Sequence, residues 1–165
     1  MILGFRHDPT CLILTRQALP TLDRTKYASA AGLARGAYVL ADAPGGKPDV
    51  LLLATGSEVA LCVAAHEQLA KEGLKSRVVS MPSWELFERQ PPDYKEAVLP
   101  SSVAARVSVE QGSTLGWERY VGTTGRAIGM RTFGASAPLK DLQKKFGFDP
   151  GNVVAAAREQ LGRKG

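Results

Sequence analysis

The pattern of apolar and polar residues predicts a strand, a helix and a second strand between residues 49 and 81. Val50–Ala54 is apolar at every position, which is typical of a central parallel strand covered on both faces. Gly73 is well placed to end the helix in a left-handed conformation, and residues 77–81 are the next predicted strand. Between the two strands, residues recur at helical spacing and form a mainly apolar stripe: Val59, Cys62, Val63, His66, Leu69 and Ala70.

Similar patterns predict the remaining elements. Asp149 is expected to cap a final helix that begins at Pro150 and turns an apolar face towards the sheet. A short apolar run at 11–15 reads as a strand that ends at Arg16 and whose partners, if any, lie upstream. Pro20 makes residues 19–24 an extended connector. The other predicted strands are 36–41, 104–109 and 126–132, and the other predicted helices are 83–87, 93–99 and 136–146.

This alternation of strands and helices predicts an α/β fold. We expect a three-layer α/β/α sandwich with a mixed, mostly parallel sheet of about five strands. At 165 residues the chain is long enough for one compact domain with its own core. No internal repeat or low-complexity segment occurs.

Composition excludes several classes of protein. No apolar run approaches the roughly 20 residues that a membrane helix needs, and residues 1–6 do not resemble a secretory signal, so we expect a cytoplasmic protein. The formal net charge of +5 raises the question of nucleic-acid binding. However, the late basic residues fall mainly on predicted helices with acidic neighbours, and no basic stripe carries interleaved aromatic residues, so solvated helix faces explain the charge.

The sequence offers little material for metal or nucleophile chemistry. Only His7, His66, Cys11 and Cys62 supply imidazole or thiol groups, and their spacing fits no zinc pattern, so no metal site is expected. Both cysteines are expected to be reduced. Because Cys62 and His66 lie one helical turn apart, the imidazole could activate the thiol, although a partly buried helix histidine is the preferred interpretation. No hydrolase elbow occurs.

One loop has a position that suits ligand binding. Gly56 and Ser57 lie between the apolar strand and the next helix, where exposed backbone amides can bind an anion. The loop lacks the spacing of a phosphate-binding or dinucleotide-binding motif, and Glu58 would repel phosphate. Simple capping of the helix by Ser57 is therefore the preferred interpretation.

Several short motifs, in order, resemble the carboxy-terminal domain of transketolases. The densest match is Val107-Ser-Val-Glu-Gln-Gly-Ser-Thr-Leu-Gly-Trp-Glu-Arg-Tyr-Val-Gly122. Further matches are Ala54-Thr-Gly-Ser-Glu-Val59, Leu14-Thr-Arg-Gln17, Tyr38-Val-Leu40, Ile128-Gly-Met130, Phe133-Gly-Ala-Ser-Ala-Pro138 and Phe146-Gly-Phe148. The resemblance covers nearly everything after Thr10.

The resemblance implies a domain boundary and a role for one side chain. Residues 1–24 would be the end of the pyrimidine-binding domain plus a linker, and residues 25–165 the transketolase carboxy-terminal domain. In the family, the arginine that matches Arg16 helps to bind the phosphate of the sugar substrate. A guanidinium fork suits that phosphate.

The resemblance also implies what this chain lacks. Transketolases transfer a two-carbon ketol unit between sugar phosphates with thiamine diphosphate, held through a divalent metal such as Mg²⁺ by a Gly-Asp-Gly motif and later asparagines. Here no aspartate precedes a glycine, and Asn152 is the only asparagine. We therefore expect no cofactor, metal or catalytic residue in this chain, and no activity from it alone.

The implied partners are the missing transketolase domains, a second subunit of a homodimer and, in the parent enzyme, a sugar phosphate. That parent would serve the pentose phosphate pathway or a carbon-fixation cycle. In the densest match, Glu110, Glu118 and Arg119 accompany Trp117 and Tyr120, which are expected to pack or to form an interface rather than to contact a ligand.

Two alternatives stay open from the sequence. The chain could be a stand-alone regulatory or small-ligand-binding domain that uses the Gly56 loop. It could also derive from a related thiamine enzyme, such as a dihydroxyacetone synthase or a deoxyxylulose phosphate synthase, because these enzymes share the domain fold.

Overall fold

A five-stranded mixed sheet forms the centre of the computed structural model, which describes residue 7 and residues 9–162. The predicted absence of a signal concerns residues 1–6, which lie outside this range. The strands are β1 (Tyr38–Ala41), β2 (Val50–Ala54), β3 (Ser76–Ser80), β4 (Arg106–Ser113) and β5 (Arg126–Met130). Their order across the sheet is β1-β3-β2-β4-β5. Strand β1 is antiparallel to β3, and all other pairs are parallel.

Among the described residues, six α-helices cover the two faces of the sheet. They are α1 (Val59–Lys71), α2 (Trp84–Glu88), α3 (Pro92–Val98), α4 (Glu118–Val121), α5 (Leu139–Phe146) and α6 (Pro150–Gly162). The predicted sandwich and its mostly parallel sheet are confirmed. None of the helices in the described part of the chain has the length and apolar character needed to span a lipid bilayer.

The central strand β2 separates two hydrophobic cores. All five residues of β2 are buried, as its unbroken apolar run predicts. Leu52 and Ala54 pack with residues of α1 and α6, whereas Leu51 and Leu53 pack with Phe87, Trp117 and neighbouring residues on the opposite face. Alternate residues of a strand point to opposite faces, so one strand can serve both cores.

Local signals at the helix ends work largely as expected. Gly73 has a φ of 78° just after α1, and Leu74 N–H donates to the Leu69 carbonyl at 2.9 Å. The Asp149 carboxylate accepts the Asn152 N–H at 3.0 Å, which caps the first turn of α6. In α1, Cys62, Val63 and Leu69 are buried as predicted, but Ala70 is exposed, because the buried stripe runs through Ala65 instead.

The strand predicted at residues 11–15 is wrong. These residues have no secondary structure and are exposed, with Ile13 92% and Leu14 75% accessible. A strand requires a hydrogen-bonded neighbour, and no described segment pairs with this one. Residues 19–23 of the predicted connector have no regular secondary structure, and a turn begins at Arg24. The chain joins the fold where Leu22 packs against the core and Tyr27 is buried.

Candidate functional site

The sheet topology creates one crevice at the carboxyl ends of β2 and β4. These strands are parallel neighbours, with Ala54 opposite Val109. The chain leaves β2 into α1 on one face of the sheet, and it leaves β4 into α4 on the other face. In open α/β sheets, ligands bind where neighbouring connections diverge in this way. This edge is therefore the first place to look for a site.

The Gly56 loop occupies the β2 side of the crevice. Gly56–Glu58 forms a single 3-10 turn, and Gly56 adopts a φ of 54°, which favours glycine. The prediction that Ser57 caps α1 is wrong, because Ser57 lies inside this turn. Its hydroxyl donates to the Glu58 carboxylate at 2.5 Å instead of accepting an amide from the helix.

Glu58 sets the electrostatic character of the loop. Only 5% of the residue is exposed, and burial raises the pKa of its carboxyl. Hydrogen bonds from Ser57 and from the backbone of Gln111 oppose that rise, whereas the charge of Glu110 adds to it. A bound anion would meet both carboxyl groups. The ligand role of Gly56 and Ser57 stays a prediction, and this environment disfavours phosphate.

A cleft of about 430 Å³ opens beside the loop, and we call it the switch-point cleft. It lies where the chain leaves β2, β3 and β4 at their carboxyl ends. Its lining combines aromatic, apolar and acidic side chains and contains no lysine, arginine or histidine. The lining residues are Thr55, Met81, Pro82, Ser83, Trp84, Glu85, Glu110, Ser113 and Leu115.

An aromatic cluster supports the wall of the switch-point cleft. The ring of Trp84 meets those of Trp117 and Tyr120 edge to face, with centroids 5.0 and 5.1 Å apart. The Trp117 indole N–H donates to the Glu110 carboxylate. Because Trp117 and Tyr120 are 1% and 3% exposed, they pack within this chain, as the packing interpretation predicts.

The charged residues of the densest motif have local partners. The Glu118 carboxylate accepts the Gly116 N–H at 2.8 Å, and Arg119 lies 3.9 Å from the Glu88 carboxylate. Glu88 also accepts the Tyr120 hydroxyl at 2.9 Å, and burial together with that carboxylate raises the pKa of Tyr120 to about 12. Neither Glu118 nor Arg119 lines the switch-point cleft.

Arg16 lies in the exposed segment that precedes the fold. Within the described residues, no hydrogen bond, ion pair or ring contact holds its side chain. The structure therefore does not bring Arg16 into a site formed by other groups of this chain. Its phosphate-binding role stays a prediction that depends on groups supplied from elsewhere.

The pairing of Cys62 with His66 does not form a nucleophile. Cys62 is fully buried, and burial raises the pKa of its thiol, which favours the inert protonated form. The His66 Nδ1 atom is 2.8 Å from the Ser76 hydroxyl, and burial lowers the pKa of the imidazole. Among the described residues, no cluster of His, Cys, Asp or Glu side chains could hold a metal ion.

Sequence reasoning missed Trp84 and Glu85 as site residues. It treated residues 83–87 only as a short helix, which the structure shows as α2 with the Ser83 hydroxyl accepting the Leu86 N–H at 3.3 Å. The position of this segment in the sequence could have indicated the site. The segment follows a parallel strand, so it lies at the carboxyl ends of the strands, where ligands bind in such sheets.

Comparisons with known proteins point to one family. Residues 36–149 match the family model described as the transketolase-like TK C-terminal domain. The chain is 49% identical over 155 residues to a transketolase of Geobacillus stearothermophilus. This match covers 94% of this chain and 23% of that protein. It is 52% identical over 155 residues to a chloroplastic transketolase of Solanum tuberosum. That match covers 93% of this chain and 20% of the relative.

A solved structure agrees with these sequence matches. The transketolase of Pichia stipitis in complex with sedoheptulose 7-phosphate superposes with a TM-score of 0.78 and 37% identity. The superposition covers 89% of this chain and 20% of the other. The chain therefore spans about a fifth to a quarter of the length of the relatives it matches.

Proposed function

Because the chain belongs to the transketolase family and matches its carboxy-terminal domain, we propose that it serves as the carboxy-terminal domain of a transketolase. The match over residues 36–149, together with the superposition on a solved transketolase, carries this proposal. In that role the domain supports packing between domains and subunits of a homodimer and performs no chemistry alone. The reaction of the whole enzyme would be ketol transfer between sugar phosphates.

The residues of this chain do not fit a thiamine diphosphate site. No aspartate precedes a glycine, so the expected diphosphate motif does not occur in the sequence. The only asparagine, Asn152, uses its side-chain amide to donate to the Gly147 carbonyl at 2.8 Å, near the start of α6. We therefore propose that thiamine diphosphate and Mg²⁺ bind other parts of the enzyme.

We propose that Arg16 contacts the phosphate of the sugar substrate in the assembled enzyme. Two observations support this role. Its guanidinium makes no hydrogen bond or ion pair with a described residue of this chain, and its planar N–H donors suit phosphate oxygens. The solved relative from Pichia stipitis was crystallised with a sugar phosphate, which agrees in chemical class.

The division at residue 24 also belongs to this proposal. Residues 9–21 are exposed, whereas Tyr27 is buried and Leu22 packs against the core. Residues 25–165 would then form the folded domain, and residues 1–24 would continue a neighbouring domain. A cytoplasmic location stays a prediction, since the potato relative is named as chloroplastic.

Steady-state kinetics of a complete transketolase that contains this chain would test the proposal. Arg16→Ala should raise KM for phosphorylated sugars about tenfold or more while kcat changes less, because a charge-assisted hydrogen bond contributes about 1.5–3 kcal/mol. Arg131→Ala, also an exposed arginine, is the matched control. An unchanged KM would refute the Arg16 role.

The domain assignment needs its own measurement. The purified chain alone should show no ketol transfer, and the complete enzyme should show it. Measurable ketol transfer by the isolated chain would contradict the proposed non-catalytic role.

A further inference from the structure

The switch-point cleft is acidic although the chain as a whole is basic. Its lining contains two carboxylates, Glu85 and Glu110, and no basic residue, whereas the formal net charge of the chain is +5. We propose that this cleft is a docking site for an arginine side chain of a partner polypeptide. Arg16 does not line this cleft, so the proposal does not rest on the Arg16 role.

The carboxylates of the cleft retain unused acceptor capacity. Glu85 accepts the Ser83 hydroxyl through Oε2 at 3.1 Å, and Glu110 accepts the Trp117 indole N–H through Oε2. Among the residues that the structure describes, no hydrogen-bond donor reaches the Oε1 atom of either group. Both groups can therefore accept further N–H donors, and a cation would also offset the negative charge of the lining.

Trp84 makes a guanidinium the best match among cations. Its ring lines the cleft and is fixed by edge-to-face contacts with Trp117 and Tyr120. A planar guanidinium stacks on an indole face while its N–H fork binds a carboxylate, and both interactions strengthen where water is excluded. An ammonium group can make the charge contact but lacks the planar fork.

The rim of the cleft favours a polypeptide over a small molecule. Leu115 lines the opening and is 81% exposed, so the cleft does not enclose its contents as small-ligand sites do. Protein interfaces typically surround a buried arginine or aromatic anchor with contacts that exclude water. In a partner segment where apolar residues flank an arginine, the arginine side chain would fill the cleft and the apolar residues would cover Leu115.

A titration with two matched peptides tests the proposal. The chain has two tryptophans, so a 15N-labelled sample gives one indole N–H signal each from Trp84 and Trp117. The probe is acetyl-Leu-Arg-Leu-amide, and the control replaces arginine by citrulline, which has nearly the same shape without the charge. We expect saturable shifts of both indole signals, with binding of the citrulline peptide weaker by about tenfold.

Variants assign the effect to the cleft. Glu85→Gln and Glu110→Gln should each weaken binding of the arginine peptide about threefold to tenfold, as loss of a charge-assisted contact predicts. Glu110→Gln keeps an oxygen that can accept the Trp117 indole N–H. Glu96→Gln changes an exposed carboxylate that does not line the cleft and should bind as the unmodified chain does.

Several outcomes would overturn the proposal. Equal binding of the two peptides would show that binding does not depend on the positive charge of the arginine. Unshifted indole signals would show that the peptide does not bind in the cleft. If argininamide alone bound as tightly as the peptide, the cleft would be a small-cation site rather than a docking surface. If the indole signals shifted with protein concentration alone, the occupant would be a second copy of this chain. A variant that fails to fold would leave the peptide comparison on the unmodified chain decisive.

Discussion

Arg77 and Asp42 form a two-pronged salt bridge that ties β3 to the turn after β1. Arg77 Nε lies 2.9 Å from Asp42 Oδ1, and Arg77 Nη2 lies 2.8 Å from Asp42 Oδ2. The same guanidinium donates to the carbonyls of Ala97, Val98 and Gly46. One buried cation thus joins the edge of the sheet to the end of α3.

Removing either partner of this salt bridge should destabilise the fold. Arg77→Ala leaves several carbonyls without donors and should cost about 3–5 kcal/mol of unfolding free energy. Asp42→Asn should cost less, about 1–3 kcal/mol, because the Asp42 side chain is 34% exposed and water can partly replace it. Urea denaturation measures both, with exposed Arg131→Ala as the control; similar stability of Arg77→Ala and the control would contradict the prediction.

Tyr27 should anchor the segment that precedes β1. Tyr27 is 6% exposed and packs in the core, and its hydroxyl donates to the Glu67 carboxylate at 2.5 Å. Tyr27→Phe should lose about 1 kcal/mol of unfolding free energy, and Tyr27→Ala about 3–5 kcal/mol. Tyr27→Ala should also speed proteolysis between residues 19 and 29. The half-buried Tyr38, changed to Phe, is the matched control and should change neither stability nor cleavage.

His66 should make stability depend on pH. Burial lowers the pKa of its imidazole from the ordinary 6.5, so the unfolded chain binds a proton more readily than the folded chain. The contribution of His66 is therefore complete above pH 6.5 and is lost as the pH falls towards the lower folded pKa. His66→Gln should flatten the decline in Tm between neutral pH and about pH 5.

The other histidine provides the control for this measurement. His7 is exposed, and His7→Gln is the matched substitution for comparison. If His66→Gln and His7→Gln gave the same profile, the buried imidazole would not be the source of the effect.

Gly116 should be required for the position of Trp84. Gly116 has a φ of 90°, and a Cβ atom added there would lie 2.7 Å from Cζ3 of the Trp84 ring. Gly116→Ala therefore combines backbone strain with overpacking and should cost about 2–4 kcal/mol. It should also shift the tryptophan emission of the folded protein. Gly134→Ala, where no atom lies within 4 Å, is the matched control, and equal stability of the two variants would refute the argument.

The sequence predicts the parts of this fold that local or periodic signals specify. Val50–Ala54 was identified as a central strand because a run without a polar face must be covered on both sides. Asp149 and Pro150 defined the start of α6, and Gly73 the end of α1, because each residue has a specific role in helix capping.

Features that depend on distant partners were missed. Residues 11–15 have the composition of a strand, but composition does not reveal whether a pairing neighbour is present. Arg77 is buried because Asp42, 35 residues earlier, reaches it, and no local pattern indicates that contact. The switch-point cleft collects residues from three strand ends, so Trp84 and Glu110 become neighbours of one cavity only once the strand order is known.

The anchoring of Tyr27 has a mechanical consequence. Tyr27 precedes β1 in the chain, yet its ring is in the core and its hydroxyl bonds Glu67 on α1. Lys26 adds an ion pair to the same carboxylate at 2.5 Å. A tensile force applied through residues 9–22 is therefore borne first by a helix packed against the sheet, and the edge strand β1 is shielded from being peeled away.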